Sequence, residues 1–271
     1  EDPVEYRLGL IRQIQVNPKA GITFANGLRA ILRQDPDVIM VGEIRDLETA
    51  IIAIQAALTG HLVFSTLHTN DAPAAVTRLL NMGVEPFLIS ACLAGVMAQR
   101  LIRLVCEDCK EPYEPSKATL ERWGLKGRSD VVFYRGKGCE MCKGTGYHGR
   151  TGIFELMAID DELREMIISS ASTVALSKKA KEKGMRFLRE DGLDKALGGS
   201  TSIEEVARVC EEQIEIKPVG EEKLERVVSP ALEIETGSGS GPGEVKQVEV
   251  KATELQEYQK RIAGWLGKKN K

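Results

Sequence analysis

The chain has 271 residues, of which 42% are hydrophobic and 28% charged, and its formal net charge is −3. This length is sufficient for one or two domains with a substantial core, and the composition is typical of a globular protein. The near-neutral charge argues against the strongly basic surface that draws a protein to nucleic acid or anionic lipid. The longest apolar run, residues 87–98, is too short to span a bilayer and predicts a buried core helix.

The cysteine content and the absence of an export signal bear on the cellular compartment. The sequence contains six cysteines, and no charged-then-apolar signal segment opens it. This combination predicts thiols or metal ligands rather than disulfides, and a cytoplasmic location.

Residues 1–104 alternate short apolar runs with helical patterns. Thr23 can cap a helix that Pro36 ends, and Asp46 can cap a second helix that Gly60 ends. The second helix is apolar nearly all round, which predicts that it is buried. This βαβα order predicts an α/β fold with a mostly parallel sheet and helices on its faces.

Two of the apolar runs end in polar residues. Residues 38–41 precede Glu43, and residues 62–64 precede Thr66 and His68. Ligands of open α/β sheets bind at the carboxyl ends of the strands, so we expect these side chains to lie together at a site. A carboxylate held there can orient or deprotonate the water that attacks a phosphoryl group.

The residue types alone leave other roles open. Glu43 could instead cap the following helix or pair with Arg45. A histidine beside an apolar strand is more often a hydrogen-bonded core residue than a catalyst, and we expect this of His61. His148 lies among glycines and is expected to be a loop residue.

Cys106, Cys109, Cys139 and Cys142 form two C-x₂-C pairs with 29 residues between them. Four thiolates match the tetrahedral coordination of Zn²⁺, and with every position filled no water could be activated, so the predicted metal is structural. A redox-active pair is the alternative, which two matched pairs disfavour. Cys92, within the apolar run, is expected to be a packed core thiol.

Three further segments, in this order, resemble one protein family. Residues 1–6 (EDPVEY) resemble its aspartate box, residues 37–46 its Walker B segment and residues 60–71 its histidine box. The chain, up to about residue 210, is thereby identified as a member of the ATPase family of type II secretion and type IV pilus assembly. The tetracysteine motif resembles the secretion and pilus-extension branch, since retraction ATPases generally lack it.

The resemblance implies a RecA-like P-loop ATPase core and assigns roles to individual residues. Glu43 would act on the attacking water, His68 would report the state of the γ-phosphate and Thr66 would support it. The acidic residues of the aspartate box would act through Mg²⁺ or the lytic water, and arginines between that box and Walker B would reach the γ-phosphate. The candidate catalytic residues are Glu43, Glu1, His68, Arg29 and Arg33, and the candidate ATP- and Mg²⁺-binding residues are Asp2, Thr66 and Glu5.

The phosphate-binding motif G-x-x-x-x-G-K-[ST] does not occur in the 271 residues. The Gly-Lys pairs, at residues 136–137 and 267–268, lack both the upstream glycine and the following hydroxyl residue. We therefore expect a C-terminal fragment of a longer protein, and negligible ATP hydrolysis by the isolated chain.

The expected organisation has four parts. They are a partial RecA-like core in residues 1–104, a zinc subdomain in 105–146, a helical subdomain in 147–210, and a flexible tail with a short amphipathic helix in 211–271. Composition predicts no nucleic-acid partner and no transmembrane segment.

The resemblance also implies partners and a location. The whole protein would be a homo-hexameric motor at the cytoplasmic face of the inner membrane, working on a membrane platform protein and other cytoplasmic-face proteins. Its cofactors would be ATP, Mg²⁺ and structural Zn²⁺. The alternative is a non-enzymatic, zinc-stabilised interaction module.

Overall fold

The computed structural model of the chain describes residues 1–125 and 131–211. The helices are α1 (Phe24–Leu32), α2 (Leu47–Leu58), α3 (Ala72–Asn81), α4 (Pro86–Cys92), α5 (Lys117–Arg122), α6 (Asp161–Ile168), α7 (Thr173–Glu182), α8 (Leu188–Leu197) and α9 (Ile203–Glu211). The strands are β1 (Val38–Val41), β2 (Leu62–Ser65), β3 (Gly95–Val105), β4 (Lys110–Tyr113), β5 (Phe133–Gly136) and β6 (Tyr147–Ala158). The tail predicted for residues 211–271 lies outside the described residues, except for residue 211, which ends α9. Each helix of the described ranges is too short or too polar to cross a membrane.

The first two predicted helices form where their capping residues indicate. The Thr23 hydroxyl accepts a hydrogen bond from the backbone N–H of Asn26 at 3.2 Å, and this starts α1. The Asp46 carboxylate accepts from the N–H of Thr49 at 2.8 Å, and this starts α2. Gly60, with φ of +102°, follows the end of α2 in the left-handed region that glycine adopts without strain.

The strands form one parallel and two antiparallel pairs. β1 pairs in parallel with β2, from Val38 opposite Leu62 to Val41 opposite Ser65, as the βαβ order predicts. β3 pairs with β6 and β4 with β5, both antiparallel. The segment between β3 and β6 contains β4, α5, β5 and the four clustered cysteines, so the long β3–β6 pair is the base from which this segment extends.

Two sequence expectations about secondary structure are wrong. Residues 87–98 do not form one helix: α4 ends at Cys92, and β3 begins at Gly95. The helices expected in residues 147–210 begin only with α6, because residues 147–158 form β6. In β6 the burial alternates, with Ile153 and Met157 facing the core, and this period of two is that of a strand.

The parallel pair is buried on one face only. Ile39 and Val41 of β1 are 2% and 4% exposed. On the other face Val38 and Met40 are 56% and 65% exposed, and Phe64 of β2 is 49% exposed. Parallel sheets are normally covered on both faces, so the described residues provide only one of the two covers.

Two hydrophobic clusters surround the end of β1. A small cluster lies between α1, β1 and α2, around Leu28, Ile39 and Ile52. A larger cluster is built on β3 and β6 with α3, α4 and α6–α9. Ile44 packs against both, so the turn that follows β1 is fixed between the two clusters.

The start of α9 carries a buried ion-pair network. The Ser202 hydroxyl caps the helix by accepting from the N–H of Glu205 at 3.3 Å. The Glu205 carboxylate accepts from Arg103 at 2.6 Å and from Arg208 at 2.8 Å. Burial alone would raise the pKa of Glu205, but the hydrogen bonds from Arg208 and Arg103 lower it to about 2.

Glu205→Gln should therefore destabilise the chain near neutral pH, by about 2–4 kcal/mol, because it leaves buried hydrogen-bonding groups without their anion. The folded-state pKa lies below its ordinary value near 4.5, so this contribution is present above that value and is lost as pH falls towards 2. Urea unfolding of both proteins at several pH values measures the difference.

The matched control is Glu182→Gln, because Glu182 is half exposed and lies 3.9 Å from its lysine partner. It should change the free energy of unfolding by less than about 0.5 kcal/mol. An equal effect of the two substitutions at pH 7 would contradict the role given to Glu205.

Candidate functional site

Glu43 lies directly after β1, in the turn that leads to α2. The residue is 9% exposed, so its carboxylate is largely removed from water. Its Oε2 lies 3.1 Å from Nε2 of His68, and its Oε1 lies 2.5 Å from Nη2 of Arg45. The side chain therefore points inward, at the strand end where the sequence predicted a site.

The ends of β1 and β2 are joined beyond their ladder. The Thr66 hydroxyl donates to the carbonyl of Gly42 at 2.7 Å, and the N–H of Ile44 donates to the carbonyl of Thr66 at 3.1 Å. These bonds fix the turn that carries Glu43 against the loop that carries His68. The structure thus brings together three of the predicted site residues: Glu43, Thr66 and His68.

The sequence offers Arg45 as an alternative partner of Glu43, and the structure shows this ion pair in addition to the contact with His68. The hydrogen bond from Arg45, opposed by burial and reinforced by His68, holds the pKa of Glu43 below its usual range. Glu43 is consequently an anion between an arginine and a histidine whose side chains are 63% and 83% exposed.

The aspartate-box residues reach the same place unequally. A Cβ on Gly42 would lie 3.5 Å from Cα of Glu1, so the first residues of the chain pass directly over the turn. The charge of Asp2 acts on Arg45 and, after Glu43, helps to raise the pKa of that guanidinium. Glu5 is exposed, and the described contacts do not include one between Glu5 and Glu43.

The two arginine candidates lie elsewhere. Arg29 donates to Glu48 of α2 at 2.7 Å and to Asn26 at 3.2 Å. Arg29 and Arg33 line a groove between α1 and α2 whose lining does not include Glu43.

His61, expected to be structural, hydrogen-bonds at the end of α2. Its Nδ1 lies 2.9 Å from the carbonyl of Ala56 and 3.1 Å from the Thr59 hydroxyl. Cys92 packs against the larger core, and burial raises the pKa of its thiol to about 11.

Two supporting residues were missed from the sequence. Gln13 donates to Oε1 of Glu1 at 2.8 Å and accepts from the N–H of Leu8 at 2.8 Å, so it holds the looped start of the chain. Arg100 of β3 donates to Oδ1 of Asn70 at 3.2 Å and fastens the loop that follows His68. No motif marks either residue, because Gln13 is 12 residues from Glu1 and Arg100 is 30 residues from Asn70.

Glu155 of β6 is another buried acid that the sequence did not reveal. Its Oε1 accepts from the N–H of Ala72 at 2.9 Å and its Oε2 from the N–H of Leu188 at 3.4 Å. It therefore caps α3 and α8 together, and burial raises its pKa. Glu155 takes one of the alternate inward positions of β6, so its burial can be predicted only once that segment is recognised as a strand.

The four clustered cysteines converge on one point. Their sulfur atoms all lie within 4.8 Å of one another. Three of the separations are 3.8, 3.8 and 3.7 Å: Cys106 to Cys139, Cys109 to Cys142, and Cys139 to Cys142. A tetrahedron with metal–sulfur bonds of about 2.3 Å has sulfur–sulfur edges of about 3.8 Å, so these residues fit a bound metal ion.

Backbone N–H groups surround these sulfur atoms. Gly138 donates to Cys109 at 3.2 Å, and Cys139 and Gly146 donate to Cys142 at 3.1 and 3.2 Å. The bond from Cys139, opposed by burial and aided by Gly146, lowers the pKa of Cys142 to about 6, whereas burial raises that of Cys109 to about 12. Burial alone opposes the formation of several adjacent thiolates, and a bound cation would compensate their charge.

Sequence comparison gives one matching family. The model for "Type II/IV secretion system protein" matches residues 1–208. The type IV pilus assembly ATPase PilB of Thermus thermophilus is 59% identical over 214 residues, which are 78% of this chain and 24% of that protein. The type II secretion system ATPase E of Vibrio cholerae is 58% identical over 212 residues, which are 78% of this chain and 42% of that protein.

Two solved structures of ATPases have folds similar to that of this chain. The pilus retraction motor PilT with bound ADP matches with a TM-score of 0.55 and 27% identity, over 77% of this chain and 50% of that one. The ATPase DotB of Legionella pneumophila matches with a TM-score of 0.54, at 22% identity, over 78% and 50%. These likenesses confirm the predicted α/β, RecA-like ATPase-core fold, and the chain spans about a quarter to two fifths of the curated relatives it matches.

Proposed function

Because the chain belongs to the Type II/IV secretion system protein family, we propose that it is part of an ATP-hydrolysing motor that drives type II secretion or type IV pilus assembly. The observation that carries this proposal is the inward Glu43 carboxylate in contact with His68 at the end of a parallel strand pair. The phosphate-binding loop would lie outside the 271 residues, in the remainder of the longer protein.

In the proposed reaction Glu43 orients and polarises the water that attacks the γ-phosphate. Phosphoryl transfer requires mainly positioning and charge stabilisation, and a largely buried carboxylate held by two partners supplies positioning. The aspartate-box acids would lie at the nucleotide and hold Mg²⁺; they are Glu1, Asp2 and Glu5. When bound, Mg²⁺ neutralises phosphate charge. His68, supported by Thr66, would transmit the state of the γ-phosphate to the loop that Arg100 fastens.

The arginine positions favour action between subunits. Arg29 and Arg33 line a groove apart from Glu43, so we propose that they serve the site of a neighbouring subunit in a homo-hexamer. An arginine supplied to the γ-phosphate in this way accelerates hydrolysis by about 10³–10⁵-fold in other nucleotide hydrolases.

The exposed face of β1 and β2 supports the proposal of a longer protein. Val38, Met40 and Phe64 present a continuous apolar surface of a parallel pair, and such surfaces are normally covered. We propose that the part of the protein with the phosphate-binding loop packs there. The motor would work in the cytoplasm, at the inner membrane, on a platform protein and other cytoplasmic-face proteins.

We propose that the chain divides into four parts, residues 1–104, 105–146, 147–210 and 211–271. In this division the second part is the tetracysteine segment, and Cys106, Cys109, Cys139 and Cys142 would hold a structural Zn²⁺. Structural zinc contributes on the order of 10–16 kcal/mol in small peptides, enough to fold a segment with little apolar core.

Glu43→Gln should abolish ATP hydrolysis by the motor. The test protein is a chimera in which residues 1–211 replace the matching segment of the 59%-identical Thermus relative. Glutamine cannot accept the water's proton, so we expect kcat to fall by about 10²–10⁴-fold, with little change in nucleotide affinity. Steady-state phosphate release and fluorescent-nucleotide binding provide the two measurements.

Glu85→Gln is the matched control, since Glu85 is exposed and makes no capping bond at α4. It should leave kcat unchanged. The isolated 271-residue chain should release phosphate at the background rate. Full activity of the Glu43→Gln chimera would refute the catalytic role.

The purified chain should contain one zinc ion per molecule. Elemental analysis of the chain and of its Cys106→Ser and Cys142→Ser variants measures this, and either variant should lose most of the metal because three thiolates bind less tightly than four. Cys92→Ser is the control, since Cys92 belongs to the apolar core, and it should retain a full equivalent. A metal-free chain whose six thiols all react in the native state would contradict the proposal.

A further inference from the structure

Arg45 occupies a position that the motif-based roles do not use. It follows Glu43 by two residues, and its guanidinium contacts the carboxylate oxygen opposite the one that contacts His68. We infer that Arg45 is a positioning residue of this site, whose guanidinium holds the Glu43 carboxylate by a direct ion pair and links it to the aspartate box. This inference deepens the proposed function and rests on it.

The backbone around Arg45 is fixed, so only its side chain has freedom. Ile44 is tied to Thr66 by the 3.1 Å backbone hydrogen bond and packs against both hydrophobic clusters. Asp46 is tied to the first turn of α2 as its capping residue. Arg45 lies between these two anchors, and its guanidinium can therefore return repeatedly to the same carboxylate oxygen.

Glu43 needs a cation because its surroundings oppose its charge. Its side chain is 11% exposed, and burial favours the neutral acid. A protonated carboxyl group could not accept a proton from water, so it would be useless as a general base near neutral pH. Arg45 is the largest of the influences that keep the pKa of Glu43 low, ahead of His68.

The charges of Glu43, Arg45 and Asp2 alternate in sign. Arg45 and His68 contact it directly, Asp2 acts on Arg45 from the start of the chain, and the backbone of Glu1 passes over Gly42. The aspartate box therefore acts on Glu43 through the Arg45 guanidinium, in addition to any effect of a ligand that the box binds. A displacement of Asp2 would change the strength of the Arg45–Glu43 ion pair. The aspartate box and the Walker B segment are therefore electrostatically coupled.

Arg45 differs in this respect from the other arginines considered. Arg29 is engaged with Glu48, and Arg33 lines the α1–α2 groove. Since Arg45 lies within the Walker B segment itself, it can act on Glu43 in the same chain and without nucleotide. Its effect is therefore measurable on the 271-residue chain alone.

The test is a carbon-13 NMR titration of the side-chain carboxyl of Glu43 in the full 271-residue chain. The Glu43 signal is identified by its absence in Glu43→Gln. We expect Arg45→Gln to move its titration midpoint to higher pH, Arg45→Lys to restore part of the change, and Asp2→Asn to shift it upwards by a smaller amount. A purely structural role of Arg45 would leave that midpoint in place.

Arg135→Gln provides the matched control. Arg135 is 57% exposed and lies 3.1 Å from Glu111, so this variant also removes an exposed guanidinium from a glutamate. It should raise the midpoint of Glu111, whose pKa Lys137 and Arg135 hold low, and leave that of Glu43 unchanged. Circular dichroism of each variant establishes that the fold is kept.

An unchanged Glu43 midpoint in folded Arg45→Gln would overturn the inference, as would an equal shift in Arg135→Gln. Either result leaves the proposed function standing, because that depends on phosphate release by the Glu43→Gln chimera. Conversely, an active Glu43→Gln chimera with the expected titration shifts would remove the catalytic role and retain the Arg45–Glu43 coupling.

Discussion

The parallel register between β1 and β2 is the constraint on which the candidate site depends. It sets Val41 beside Ser65, so the two chains leave the pair side by side, and the Thr66 hydroxyl can then bind the carbonyl of Gly42. A slip of one residue would turn Ile39 and Val41 outwards and separate Glu43 from His68. The hydrophobic burial of one face of β1 thus fixes the chemistry at its end.

Buried acids in this chain serve different purposes according to their partners. Glu155 binds only backbone N–H groups and joins two helices, whereas Glu205 is neutralised by two arginines and holds α9 against β3. The partners of Glu43 are more exposed than those of Glu205: Arg45 and His68 are 63% and 83% exposed, against 43% and 50% for Arg103 and Arg208. A buried anion at a strand end with partners that face solvent can be reached by a bound ligand, whereas one that joins packed elements is suited to structure.

Local signals in the sequence predicted much of this arrangement. Capping at Thr23 and Asp46, the βαβ order and the cysteine spacing each depend on residues close in the chain, and the structure agrees with them. The sequence did not predict the antiparallel β3–β6 pair, because the cysteine segment separates the two strands. The start of β3 also lies within the apolar run of residues 87–98, which hides the alternation of a strand. The contacts of Arg100 with Asn70 and of Gln13 with Glu1 were also not predicted, because the fold brings together residues that are far apart in the sequence.

The central claim is that the carboxylate of Glu43 faces the triphosphate of a bound nucleotide. The most direct measurement is an experimental structure of the chimera with Mg²⁺ and a non-hydrolysable ATP analogue. We expect the Glu43 carboxylate to be separated from the γ-phosphate by a single water molecule, with His68 beside it. A carboxylate turned away from the nucleotide, with no space for that water, would contradict it.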